Sequence, residues 1–341
     1  MRRRILGGTG ISVSEYAFGA MMLGQWGNPD HEAGIRMLHT ALDAGINFVD
    51  TADMYSDGEN ERIVGKALKG RRDDVVLATK GYFQMGPDAN HGGNSRRWLT
   101  RALENSLRRL DTDHIDLYQI HRPDPATDIE ETLSVLSDFV RSGKVRAVGS
   151  SVFPAEQIVE AQWVAEKRGL VRFRTEQPPY SIFNRAIEAA VLPTARKYGM
   201  GVLTWSPLAS GWLSGRYDRA SDIDLTEGRK ALQVHKFDPA RPDNAAKFVA
   251  VAELKKVAAE LGRPLTHLAL AFVRAHPGVT SAIIGPRTPE QLADLLAGAD
   301  LVLSEDVLDR IDEIVPPGTD LNRDDVDYTP AALADKAQRR R

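Results

Sequence analysis

The chain predicts an α/β fold in which eight parallel strands close into a (β/α)8, or TIM, barrel. Three observations carry this. Short apolar, β-prone runs alternate with segments of helical spacing from about residue 16 to residue 297. The alternation occurs eight times, the number that closes such a barrel. No linker or internal repeat interrupts it, so residues 1–341 read as a single domain with a polar tail from about residue 315. A length of 341 residues suits one barrel, which commonly needs about 250 or more.

Arg4 to Val13 forms two β-prone pieces around Gly7-Gly8-Thr9-Gly10, an N-terminal β-hairpin ahead of the barrel. Tyr16–Gly19 is the first barrel strand, followed by a glycine-rich loop from Met21 to Asn28 that carries Trp26. Helical spacing from His31 to Ala44 leads to the strand Asn47–Asp50, and a helix near Asn60–Lys69 leads to Val75–Thr79. Asn94 or Ser95 caps a helix that ends near Leu110, before the strand Ile115–Ile120. Ile129–Arg141, closed by Gly143, precedes Val145–Gly149. Pro154 opens a helix through Lys167, at a position where its missing N–H is harmless.

The second half continues with the strand Phe173–Gln177, a helix Ala186–Tyr198 and the strand Gly201–Trp205. Ser210 to Asp243 lacks clean periodicity, and so long a segment inside a compact domain is usually functional. Two helices, Asn244–Leu261 and Leu265–Ala275, lead to the eighth strand, Ser281–Ile284, and the helix Pro289–Ala297. Ser304 caps an extra C-terminal helix running to about Ile314.

Composition narrows the function. Hydrophobic residues make up 42% of the chain, enough for a sizeable core. Charged residues at 27% and a net charge of -3 leave no basic footprint for nucleic acid. The absence of cysteine excludes disulfides, thiolate metal sites and a cysteine nucleophile. Met1-Arg2-Arg3-Arg4 resembles the start of an export signal, but Gly7-Gly8-Thr9-Gly10 interrupts it. No apolar run approaches the ~20 residues that span a bilayer. The expectation is a cytoplasmic protein with a small-molecule partner and neither a membrane nor a nucleic-acid partner. The glycines do not spell GxGxxG between a strand and a helix, so a Rossmann fingerprint is absent.

Three successive strand exits end on reactive groups: Asp50 with Tyr55 shortly after it, Lys80, and His121. In a closed barrel the C-terminal strand ends converge on one face, so these four side chains share a pocket. A lysine ammonium within about 4–6 Å of a tyrosine favours the phenolate and lowers its pKa from about 10. A carboxylate keeps that lysine charged, and a histidine can donate to a carbonyl oxygen. Together these groups suit proton donation to a developing alkoxide. Each alone has a plainer role: Asp50 as a turn cap, Tyr55 as packing, Lys80 and His121 as strand-end polar groups. Their joint placement favours chemistry.

From about Ile5 to Asp312 the chain resembles the aldo-keto reductases. The blocks that carry the resemblance are GINFVDTADMYSDGENERIVGKAL, VVLATKG, DLYQIHRPDP, GKVRAVGSSVF, EQPPYSIFNR, WSPLASGWLSGRY and AIIGPRTPEQL. It implies reduction of aldehydes or ketones, with Tyr55 as general acid, Lys80 and Asp50 tuning it, and His121 orienting the carbonyl. It also implies a nicotinamide cofactor, usually NADPH. Ser151 and Gln177 match its carboxamide contacts, Trp205 the ring that stacks on the nicotinamide, and Ser206, Leu208 and Ser210 the pyrophosphate loop. Gly285, Arg287, Thr288, Gln291 and Asp294 match the adenosine end, where an arginine fork suits a 2′-phosphate. Two positions depart from the family pattern: Val152 stands where asparagine usually follows the serine, and Leu295 follows Asp294 where asparagine is usual. Trp26, Phe83 and Trp212 lie in loops that can wall a substrate pocket or simply pack.

Three other readings compete. A barrel aldolase would use Lys80 as a Schiff base, but it leaves Tyr55, Trp205 and the Arg287 block unused. An NADPH-holding auxiliary subunit with slow turnover, as among channel-associated relatives, is compatible with an intact tetrad. A short-chain dehydrogenase would need Tyr-x-x-x-Lys and a Rossmann glycine signature, and neither occurs.

Overall fold

The structure, a computed structural model, describes residues 1–226, 230 and 233–339. The chain groups into two compact units. One comprises Met1–Pro178, Val191–Trp205 and Pro277–Leu296; the other comprises Pro179–Ala190, Ser206–His276 and Ala297–Arg341.

The first unit holds the barrel. An antiparallel hairpin, β1 (Arg3–Ile5) with β2 (Ser12–Ser14), precedes it. The barrel strands are β3 (Tyr16–Gly19), β4 (Phe48–Asp50), β5 (Val76–Gly81), β6 (Ile115–Ile120), β7 (Val145–Ser150), β8 (Thr175–Glu176), β9 (Gly201–Thr204) and β10 (Ser281–Ile284). Each pairs in parallel with the next, and β10 returns to β3, closing the ring. The eight-stranded parallel barrel and the N-terminal hairpin are therefore as the sequence predicts.

Alternation along the strands makes two tiers inside the barrel. Ala17, Phe48, Ala78, Leu117, Ala147, Leu203 and Ile283 meet in one buried cluster, which Leu6 and Val13 of the hairpin join. Side chains two residues apart share a face of a strand. The next inward position on those strands is Gly19, Asp50, Lys80, Gln119, Gly149, Trp205 and Gly285. An apolar layer thus supports one in which Asp50, Lys80 and Gln119 stand beside glycines and Trp205 at the C-terminal strand ends, where barrels carry their chemistry.

The connecting helices are α1 (His31–Asp43), α2 (Glu59–Leu68), α3 (Arg96–Leu110), α4 (Ile129–Arg141), α5 (Ala155–Arg168) and α6 (Val191–Lys197). Their starts follow local chemistry. Asp30 accepts from Ala33 N–H, Ser95 from Trp98 N–H and Asp128 from Glu130 N–H. Of the two residues considered for the start of α3, Ser95 makes the cap. Asn94 instead binds Asp124 and the Arg122 carbonyl in the loop after β6.

Two expected elements are shorter than the sequence suggests. The run Phe173–Gln177 pairs as strand only over Thr175–Glu176, and beyond Gln177 the prolines Pro178 and Pro179 offer no N–H to extend the ladder. The helix expected over Ala186–Tyr198 is a short 3-10 turn, Ala186–Glu188, and then Val191–Lys197. Pro193 removes a helical donor and is tolerated only within a first turn.

In the second unit the stretch Ser210–Asp243 builds a small core of its own. Trp212 is fully buried against Tyr217, Phe237 and Phe248, and its indole N–H donates to the Lys236 carbonyl. Buried Lys236 and Lys247 pair with Asp327 at 2.6 Å and Asp325 at 2.7 Å, which pins that part of the expected polar tail. Longer helices run Pro242–Glu260, Leu265–Ala275 and Glu305–Ile314. Ser304 sits at the start of the last, but its side chain makes no capping bond. Residues 227–229, 231–232 and 340–341, which fall in the aperiodic stretch and the tail, lie outside the described residues. No helix among the described residues is long and apolar enough to cross a membrane.

Gly65 tests the packing beneath the site. A Cβ there would lie 2.6 Å from the Leu110 carbonyl oxygen at the end of α3, a backbone contact that cannot swing aside. Gly65→Ala should lower stability by about 1–3 kcal/mol, seen as a reduced Tm, despite alanine's better helix propensity.

Candidate active site

The site is built on the exits of β4, β5 and β6. Lys80 Nζ donates to Asp50 Oδ2 at 2.6 Å and to the Thr51 carbonyl at 2.8 Å. It approaches the Tyr55 hydroxyl at 3.5 Å, with the ammonium 5.2 Å from the ring centroid. Lys80 is wholly buried and Asp50 nearly so. His121 lies edge-on to Tyr55 with ring centroids 6.0 Å apart. The four residues separated in sequence therefore stand together.

The turn that carries Tyr55 is held tightly. Ser56, Asp57 and Gly58 follow it with φ of 46°, 52° and 84°, three successive left-handed residues. Asn60 fastens the turn by accepting from Thr51 Oγ1 and donating to the carbonyls of Ala20 and Leu23. Glu61 accepts from Thr79 Oγ1 and from Arg109, both at 2.6 Å. Neither residue was singled out from sequence, where they read as the polar start of a helix.

A second group of polar side chains fixes Asp50 from the other side. Gln177 Nε2 donates to Asp50 Oδ1 at 2.8 Å, and Gln119 Nε2 lies 3.4 Å from the same oxygen. Gln119 also escaped the sequence reading, although a glutamine within an otherwise apolar barrel strand is the signal that marks it. Ser151 Oγ donates to the Gln177 carbonyl at 2.9 Å. Both Ser151 Oγ and Gln177 Oε1 are thereby left with lone pairs to offer. Val152, the departure from the family pattern, has φ 61°. Asparagine tolerates that region and a β-branched residue rarely enters it.

The electrostatics modify one expectation. Burial pushes the Tyr55 phenol up, and the Lys80 charge pulls it back only in part, so its pKa lies above the ordinary tyrosine value rather than below it. Burial opposes the Lys80 charge, yet Asp50 and then Tyr55 outweigh it and hold the ammonium above the usual lysine range. Burial, reinforced by Lys80 and Arg122, holds His121 well below the usual imidazole range. Near neutral pH the site therefore contains a protonated tyrosine, a charged lysine and a neutral histidine whose Nδ1 has no partner among the described residues.

Trp26 and Phe83 flank these groups. Trp26, 46% exposed, lies 6.0 Å from Tyr55, and Phe83 lies 4.8 Å from His121 between ring centroids. Trp212, in the second unit, is a fully buried aromatic. Trp205, partly buried, packs against the inner barrel cluster. After β10, Gly285, Arg287 and Thr288 are exposed. Thr288 Oγ1 accepts from Gln291 N–H while Gln291 Oε1 accepts from Arg287 N–H, so the pair shapes the loop ahead of the helix Pro289–Ala297. Asp294 is half-buried on that helix. Ser206, Leu208 and Ser210 belong to the second unit. There Ser206 Oγ accepts from Ser210 N–H, and both serines are left-handed, with φ of 56° and 58°.

Asp53, between Asp50 and Tyr55, is buried and no side chain hydrogen-bonds to it among the described residues. Burial, and then the nearby Glu61 charge, push its carboxyl up to about 8. The folded chain thus keeps this proton to about pH 8, whereas an unfolded aspartate releases it near 4. The group's contribution to stability is complete below about pH 4 and is lost as pH rises through about 8. Asp53→Asn should therefore raise Tm relative to wild type, with a gain that grows from pH 5 to pH 9 in thermal melts.

Comparison with known proteins agrees with this architecture. The model of the Aldo/keto reductase family matches residues 16–316. The chain is 41% identical over 338 residues to the uncharacterized oxidoreductase YrpG of Bacillus subtilis (strain 168), spanning 93% of this chain and 97% of that protein. It is 37% identical over 292 residues to the aldo-keto reductase YhdN of the same organism, spanning 84% and 85%. A probable voltage-gated potassium channel subunit beta of Oryza sativa subsp. japonica is 36% identical over 322 residues, spanning 92% and 97%. With a barrel closed over nearly the whole matched length, the chain belongs to the aldo/keto reductase family.

Proposed function

We propose that this protein reduces aldehydes or ketones to alcohols with NADPH, and that Tyr55 supplies the proton. The observation that carries the reading is the buried ammonium of Lys80, pinned by Asp50 and Thr51 with the Tyr55 hydroxyl at 3.5 Å. Two of its N–H bonds are committed, which leaves the third for the tyrosine oxygen. When an alkoxide forms beside it, Tyr55 gives up its proton and the resulting phenolate faces a fixed positive charge. Asp50 keeps that charge in place, and neutral His121 donates a hydrogen bond to the carbonyl oxygen.

The residues present fit a nicotinamide group. Ser151 Oγ and Gln177 Oε1 are acceptors suited to a carboxamide NH2, because their donors are already spent on Gln177 O and Asp50. Trp205 offers an aromatic face for the ring. When bound, the cofactor supplies the hydride. Arg287 has no side-chain partner among the described residues, and we assign it to the 2′-phosphate. Phe83 and Trp26 favour an apolar or aromatic carbonyl substrate.

A second reading draws on the relative named as a potassium channel subunit beta: a protein that holds the cofactor and turns over slowly. Multiple turnovers with a panel of aldehydes and ketones, followed by NADPH oxidation, favour the reductase; a single slow turnover favours the auxiliary role.

Tyr55→Phe should retain fold and cofactor binding while turnover falls by about 10²–10⁴-fold. Lys80→Met should lose a comparable factor, because the phenolate then forms beside no cation. Near-normal aldehyde reduction by Tyr55→Phe removes Tyr55 from the mechanism.

Arg287→Ala should weaken NADPH by roughly ten- to a hundredfold, the value of one charge-assisted contact, and leave NADH nearly unchanged. The preference should shrink as salt rises. Equal losses for both cofactors in a binding titration assign Arg287 to loop support instead.

A further inference from the structure

Glu176 is a buried carboxylate that the mechanism above does not use. It ends β8, pairs across the ladder with Ser150, and is fully buried with no ion pair among the described residues. Its oxygens accept from Ser150 Oγ at 2.5 Å and Phe153 N–H at 3.1 Å. Burial pushes this carboxyl up to about 7, and a buried polar group without a counter-ion is costly unless its hydrogen bonds are made and hold something in place. Here the held object is the turn from Ser150 to Phe153.

That turn is strained. Val152 takes φ 61°, a region a β-branched residue rarely enters, and such a conformation survives only where its surroundings impose it. Ser150 Oγ and Phe153 N–H both donate to the Glu176 carboxyl, which fixes the chain on either side of the strained residue. Ser151 lies within the turn and Gln177 is the next residue after Glu176. One carboxylate therefore sits between the two groups assigned above to the nicotinamide carboxamide.

We propose that Glu176 is a positioning residue for the nicotinamide site: it clamps the Ser150–Phe153 turn in its left-handed form and so keeps Ser151 and Gln177 aimed at the carboxamide. The inference rests on the cofactor reading above. It also accounts for Val152. With no polar side chain at position 152 to hold the turn, the clamp comes from the neighbouring strand.

The test compares NADPH with adenosine 2′,5′-bisphosphate, which lacks the nicotinamide, by titration into wild type, Glu176→Ala, Glu176→Gln and Glu176→Ala/Val152→Gly. Glu176→Ala should weaken NADPH by about three- to tenfold, the loss of one or two neutral hydrogen bonds, and leave the bisphosphate unchanged. Glu176→Gln keeps one acceptor oxygen and should lose a smaller factor. Val152→Gly in the alanine background should recover affinity, because glycine adopts the turn without a Cβ penalty. A purely structural glutamate would weaken both ligands alike and gain nothing from the glycine, and that pattern overturns the proposal. Should Glu176→Ala fail to fold, unchanged NADPH affinity in Glu176→Gln overturns it too. Wild type that binds the bisphosphate but gains nothing from the nicotinamide half overturns the cofactor reading and this inference together. Wild type that prefers NADPH while the variants match it overturns this inference alone.

Discussion

The Lys80–Asp50 ion pair is the constraint on which the rest of the site depends. Both charges are removed from water, and in such a pair the desolvation penalty rivals the Coulomb attraction. It is tolerable here because nearly every valence is used. Lys80 donates to Asp50 and the Thr51 carbonyl and faces Tyr55. Asp50 receives Lys80 on one oxygen and Gln177, with Gln119 further off, on the other. Taking away either partner would strand a buried charge at a cost of about 3–5 kcal/mol. The pair thus joins β4, β5, β6 and the end of β8 into one electrostatic unit, and geometry and charge at the site cannot be varied separately.

The same pair marks where the barrel interior changes from apolar to polar. Inward positions repeat every second residue, so one step along β4 changes Phe48 to Asp50, one along β5 changes Ala78 to Lys80, and one along β6 changes Leu117 to Gln119. Below that boundary, apolar side chains exclude water and give the barrel its stability. Above it, polar groups inherit a low-dielectric floor on which their interactions are stronger than in water. Burial also sets the protonation states: it raises Tyr55 and lowers His121, so both remain neutral hydrogen-bond donors.

Much of this was legible in the sequence. The strand runs, the alternation with helices and the tetrad all follow from periodicity and from reactive residues at strand exits. What escaped depends on three-dimensional context. The turn Ser150–Phe153 looked only like a missing asparagine, because a φ of 61° at Val152 leaves no mark in residue type. Asp53 and Glu61 read as loop and helix-start acids, since burial is a property of neighbours brought in by α3. The lowered tyrosine pKa followed from counting charges without desolvation, which is the larger effect at this depth. For Trp212 the sequence leaves wall and packing open, since only the rings of Phe237 and Phe248 brought against it by the fold show how it packs.

Backbone strain follows the same geography. Among the described residues, eight non-glycine positions have positive φ: Ser56, Asp57, Asp111, Val152, Ser206, Ala209, Ser210 and Asp327. Six of them lie in the stretches immediately after β4, β7 and β9, each leaving a C-terminal strand end. Asp111, by contrast, merely ends α3 in a left-handed cap. Strained conformations persist where surrounding structure over-determines them, and hydrogen-bonded barrel strands are rigid anchors for a loop. The turn after β4 shows the consequence most directly. Asn60 and Glu61 hold the start of α2, Lys80 holds the strand end through Thr51, and the chain between them must turn sharply to fit. Tyr55 is carried on that turn, so its hydroxyl is placed by fixed supports at both ends.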